Sequence, residues 1–167
     1  MEQGSYLSHC LIVLKVKYKG VKYVVKSDMS DKAVKKQKEK LGNQINNIKH
    51  PKTTADLMNK INVYNSMVLG IHSYYGIATD ISVSCSEIAY YVSNKMEDQR
   101  LNISKHGITK SEGTILKRYG KSNMMRYIES YPIAPVGYVT TKKPACKRIT
   151  ENRYTKEGRE RWSRKIG

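Results

Sequence analysis

The sequence predicts a mainly α fold of α+β type: an N-terminal β-hairpin, a three-helix bundle, and a basic C-terminal extension with short strands and a terminal helix. Three observations predict it. Apolar and basic residues alternate over Cys10 to Lys26, apolar residues recur every three or four positions between Val34 and Met96, and beyond Asn102 the chain becomes rich in proline, glycine and basic residues. The corresponding segments are 1–28, 29–101 and 102–167.

In the hairpin, Leu14, Val16 and Tyr18 alternate with Lys15 and Lys17; the pattern breaks at Lys19-Gly20 and resumes with Val21, Tyr23 and Val25. Its lysine face suits either a solvated strand guarded against edge pairing or contact with nucleic acid. A helix follows, with Ser30 as N-cap, Asp31 in the first turn to suit the helix dipole, and an apolar stripe of Val34, Leu41, Ile45 and Ile48. Lys32, Lys35, Lys36, Lys38 and Lys40 crowd its first half. A solvated face would interleave acids at i+4, and only Glu39 is present, so these lysines are expected to face phosphate.

Pro51 stops that helix and Thr53 or Thr54 caps the next, which runs from about Ala55 to Tyr75 with Leu57, Ile61, Tyr64, Val68, Ile71 and Tyr75 on one face. Gly70 inside it costs about 1 kcal/mol relative to alanine; the expectation is that it admits a neighbouring backbone or aromatic ring. Tyr64, Tyr74 and Tyr75 are expected to bury their rings and keep their hydroxyls at the rim. A third helix is predicted from Ser84 or Ser86 through Arg100, with Ile88, Ala89, Val92 and Met96 inward, and the short connections make the three a bundle.

The extension holds 16 of the 31 basic residues. Tyr131 to Val139 reads as short extended segments, and Thr155 as the cap of a terminal helix carrying Arg159, Arg161, Trp162, Arg164 and Lys165. The pairs Arg118-Tyr119, Arg126-Tyr127, Arg153-Tyr154 and Arg161-Trp162 suit phosphate contact with base stacking on unpaired RNA.

Charge points the same way. The formal net charge is +17, yet residues 61–100 carry two basic and four acidic side chains, so the two flanks share +19. A near-neutral centre with basic arms predicts an anionic partner, nucleic acid foremost. One tryptophan and no phenylalanine argue against a membrane-surface helix; no run approaches the roughly 18 apolar residues of a spanning helix and no signal-peptide pattern opens the chain, so a cytoplasmic location is expected. Cys10, Cys85 and Cys146 are too scattered for a zinc site or disulfide framework, and His9, His50, His72 and His106 have no ligand-spaced neighbours. No cofactor, metal or small-molecule substrate is expected. The sequence has no GxSxG or P-loop, no carboxylate pair at a predicted strand end, and only five dispersed aspartates, which predicts binding rather than catalysis.

Three blocks in order, "KVKYKGVKYVVKSDMSDKAVKKQKEKL", "INVYNSMVLGIHSYYGIAT" and "NRYTKEGRERW", resemble the C-terminal half of bacterial group II intron-encoded reverse transcriptase/maturases, over roughly residues 11 to 165. The first resembles the exit from the palm into the first thumb helix, beginning at Ser30 to Ala33. The second is similar to the maturase pattern of an Ile-Asn pair, an apolar-Gly dipeptide and a final Tyr-Tyr, here Ile61, Asn62, Leu69, Gly70, Tyr74 and Tyr75. The resemblance implies that these residues, with Tyr64, pack a thumb that grips structured intron RNA or an RNA-DNA duplex and assists splicing and mobility. It further implies that Lys32, Lys35, Lys36 and Lys38 face the nucleic acid, with Arg118, Lys142, Lys143, Lys147 and Arg148 as a second basic surface. The family's fingers, palm aspartates and C-terminal nuclease have no counterpart, and "CLIV" stands at Cys10 to Val13 where a Phe-Leu-Gly-Phe-like turn is usual. Polymerase activity by this chain alone is therefore not expected, and Met1 is expected to open a truncated reading frame. Two other readings stay open: the thumb of a split polymerase, and an unrelated small basic nucleic-acid-binding protein.

Overall fold

The computed structural model describes residues 12–18, 22–107 and 113–141. It is mainly helical. Strands β1 (Ile12–Tyr18) and β2 (Lys22–Asp28) form the antiparallel hairpin, in a register that runs from Ile12 opposite Asp28 to Tyr18 opposite Lys22. The Lys19-Gly20 break and the terminal helix lie outside the described residues.

Helix α1 (Asp31–Lys49) begins as the sequence predicts: the Ser30 hydroxyl accepts from Ala33 N at 3.3 Å, and Leu41, Ile45 and Ile48 are buried. Helix α2 (Thr54–Tyr75) is capped by Thr53, whose side chain accepts from Asp56 N at 3.1 Å. The Asp56 carboxylate accepts in turn from Lys52 N and from the Lys60 ammonium at 2.8 Å, and these hydrogen bonds hold its pKa below the usual carboxylate value.

Helix α3 (Ile81–Asp98) starts three residues before the predicted Ser84. Ser84 is not a cap. It is buried and donates to Asp28 Oδ1 at 2.6 Å, tying α3 to the end of β2, while Ile81 fills the core ahead of it. A second tie joins Ser27 and Thr79 by reciprocal backbone and hydroxyl hydrogen bonds of 2.8 and 3.2 Å. Next to Ser84, Cys85 is fully buried, and burial, with the Asp28 charge adding to it, pushes its thiol up to about 12; such a thiol is inert.

α1 packs on both α2 and α3. Where α1 meets α3, the missing Cβ of Gly42 would lie 2.8 Å from the Tyr91 hydroxyl, so this glycine admits an aromatic side chain to the helix backbone. The expectation placed that role at Gly70, and the structure corrects it: among the described residues no neighbouring element comes within 4 Å of a Cβ built there.

The rest of the described chain closes the other side of α2. Strands β3 (Ile103–Ser104), β4 (Arg126–Ile128) and β5 (Tyr131–Ile133) form an antiparallel sheet in that order, and the short helix α4 (Thr114–Tyr119) lies between β3 and β4 in the chain. Tyr119, Met125, Ile128, Ile133, Ala134 and Val136 join the same hydrophobic core as the three long helices. The β4–β5 turn is tight, and its central residues Glu129 and Ser130 both have positive φ, 46° and 77°, the conformation that asparagine and glycine adopt readily. Exchanging Glu129→Asn together with Ser130→Gly is expected to stabilise the protein by about 1 kcal/mol, measured as a rise in the urea midpoint with an unchanged slope. Among the described residues no helix is long and apolar enough to cross a membrane.

Candidate nucleic-acid interface

Two structural consequences follow from the residues of α2, one on each side of the helix. On the side facing the sheet, the Asn65 amide is buried; its Nδ2 donates to Pro132 O at 2.9 Å and its Oδ1 accepts from Ala134 N at 2.7 Å. β5 is an edge strand, and Pro132 O with Ala134 N are edge groups two residues apart. One side-chain amide pairs both, as a neighbouring strand would. Two turns further on, His72 is 2% exposed. Its Nε2 donates to Val136 O at 2.8 Å, which leaves Nδ1 to accept from the Tyr119 hydroxyl at 2.7 Å. A carbonyl can only accept, so Nε2 carries a proton, and burial disfavours a second one on Nδ1. Burial depresses its pKa further than the Val136 hydrogen bond raises it, and the nearby Arg118 charge adds to the depression.

On the opposite side, α1 and α2 leave a groove of about 680 Å3 between them. Lys36 and Lys40 with the amides Gln37, Asn43 and Asn47 make the α1 wall; Gly70, Met67, Ile71 and Tyr74 make the α2 wall. Tyr74 is 57% exposed, and its ring meets that of Tyr75 edge to face at 82°, centroids 4.8 Å apart.

The predicted site residues divide between these surroundings. Ile61, Tyr64 and Tyr75 are buried, as a packing role requires, but Tyr64 does not keep its hydroxyl at the rim as expected: its burial is so complete that the phenol is pushed well above its usual pKa. Asn62, Gly70 and Tyr74 are exposed, with the Tyr74 ring against that of Tyr75; the buried polar residue in this stretch is Asn65, three positions on from Asn62. Lys32, Lys35 and Lys36 are exposed on α1, with no ion pair among the described residues. Lys38 is different. Its ammonium sits 2.6 Å from Glu87 of α3 and 6.0 Å from the Tyr91 ring centroid, so it joins α1 to α3.

The second basic surface is represented by Arg118, exposed on α4 with its guanidinium 5.6 Å from the Tyr119 ring. Lys142, Lys143, Lys147 and Arg148 lie outside the described residues. Of the basic-aromatic pairs, Arg118-Tyr119 does not offer a stacking ring, because Tyr119 is buried against His72. Arg126 is spent within its own turn, donating to Asn123 O and Met125 O. Among the described residues no three His, Cys, Asp or Glu side chains gather where they could hold a metal ion.

Comparison with protein-family models, curated proteins and solved structures returns no match.

Sequence reasoning missed the amides of the groove. The signal was present, since Lys36, Lys40, Asn43 and Asn47 recur at the three- and four-residue spacing of one helix face. Asn65 and His72 carried no comparable signal, as their partners lie 47 to 69 residues away.

Proposed function

We propose that this chain binds RNA as a module of the thumb and maturase type seen in group II intron reverse transcriptases, without carrying out polymerisation itself. One observation carries the reading. Lys32, Lys36 and Lys40 lie at successive i+4 positions of α1, all exposed, and over residues 32–50 the only acid is Glu39. Such a ladder supplies a run of cations along one edge of the bundle, the form that suits a phosphate backbone. The charge excess of +17 and the order of the three sequence blocks support the same reading. RNA-DNA duplex is the alternative ligand within it.

The test is a salt titration of binding to a structured group II intron RNA and to duplex DNA of equal length. A preference for the RNA that persists at about 0.2 M salt supports the reading; equal binding that collapses there refutes it and favours an unrelated basic nucleic-acid-binding protein. Changing Lys32, Lys36 and Lys40 to glutamine together is expected to reduce the slope of log K against log salt by about three, roughly one per lysine. Lys38→Gln is expected to leave that slope unchanged, because this ammonium already sits on Glu87.

A further inference from the structure

We infer that the groove between α1 and α2 takes an unpaired RNA strand, with Tyr74 stacking on a base while Lys36 and Lys40 hold the adjoining phosphates. The inference rests on the RNA-binding reading and names the form of RNA that this site recognises. Gly70 is the first reason. Glycine inside a helix costs about 1 kcal/mol relative to alanine, and among the described residues no close approach offsets it, because a Cβ at residue 70 would meet none of them within 4 Å. What the glycine does leave is space on the groove wall, beside Tyr74.

The second reason is the chemistry of the walls. At about 680 Å3 the groove lies within the roughly 300–1,000 Å3 range of ligand pockets. The α1 wall combines cations with primary amides, Gln37 and Asn43, which both donate and accept and so match the mixed edges of nucleobases. The α2 wall is aromatic and apolar, and Tyr74 stands on it edge to face with Tyr75 while more than half exposed. An A-form duplex hides its base faces in the stack and gives an aromatic wall nothing to cover; an unpaired strand presents both base faces and edges. An acidic peptide would engage the lysines but would leave the ring and amides unused.

The experiment measures binding of a labelled short oligouridylate and of a blunt RNA duplex of the same length to the full chain at about 0.1 M salt. Gly70→Leu fills the groove and Tyr74→Ala removes the ring. Each is expected to weaken oligouridylate binding about tenfold, the usual scale for losing one stacked base, while duplex binding stays within twofold. Gly70→Leu is expected to melt no lower than the parent chain, since its side chain enters open space; if it does melt lower, Tyr74→Ala alone decides. Unchanged oligouridylate binding in the deciding variants overturns the groove assignment while leaving the RNA reading intact, provided Lys36→Gln still weakens binding. Competition by a polyglutamate peptide as effective as by oligouridylate also overturns it. Failure of the parent chain to bind either RNA removes both readings together.

Discussion

Replacing Asn65 with alanine is expected to destabilise the protein by about 2–4 kcal/mol. The substitution leaves Pro132 O and Ala134 N without the partners seen at 2.9 and 2.7 Å, and a buried polar group stripped of its hydrogen bond costs about 1–3 kcal/mol. For a chain of this size each kcal/mol moves the midpoint by roughly 2–4 °C, so thermal unfolding followed by circular dichroism is sensitive enough. Asn65→Asp keeps an acceptor for Ala134 N, but its carboxylate cannot donate to Pro132 O and places charge against that carbonyl; it is expected to melt well below the parent chain too. Asn62→Ala is the control, three residues away and exposed, with an expected effect within about 0.5 kcal/mol. A melting temperature for Asn65→Ala within a degree or two of the parent would show that the amide contributes nothing to holding β5.

Acidification is expected to weaken the joint at His72. In the folded protein the imidazole is buried, donates to Val136 O and accepts from Tyr119, so it resists taking a second proton. Burial is the main cause of its depressed pKa, with the Val136 hydrogen bond acting against it and the Arg118 charge with it. The unfolded chain binds a proton at the ordinary histidine value of 6.5, more readily than the folded one. The contribution is therefore fully present above pH 6.5 and is lost as the pH falls below it. Urea unfolding at intervals between about pH 7.5 and 5 should show stability declining across this window. His72→Gln should start lower and lose that part of the decline. A pH dependence identical in the two proteins would mean that the ring titrates in the folded state as it does in the unfolded one.

Local features of the sequence gave away the local features of the fold. Ser30, Thr53 and the apolar stripes of α1 and α2 announce those helices because caps and periodicity act within a few residues. The start of α3 was harder to read. In "ISVSCSE" the serines look like caps and the β-branched residues disfavour a helix, yet Ile81 and Cys85 are fully buried and Ser84 is occupied by Asp28. Packing decides there over propensity. The β4–β5 turn was equally obscure, since Glu129-Ser130 lacks the residues that left-handed backbone prefers. On the candidate interface, the lysine cluster was legible as charge but not as geometry: only the position of α3 separates Lys38, held by Glu87, from Lys36 in the groove. The role of Gly70 could not be read from one helix, because whether a missing Cβ admits a neighbour or leaves a gap depends on what lies opposite.

The anchoring of β5 has a consequence for how the molecule assembles. Helices α1, α2 and α3 follow one another closely in the chain, so their contacts close short loops. The grips of Asn65 and His72 join residues 64 to 69 positions apart, and closing so long a loop carries an entropic penalty that only the final contacts offset. Docking of residues 131–136 onto α2 is thus expected to be a late step of folding. On that order the Asn65 amide and the His72 imidazole, both buried in the finished fold, would be the last polar groups of α2 to leave water.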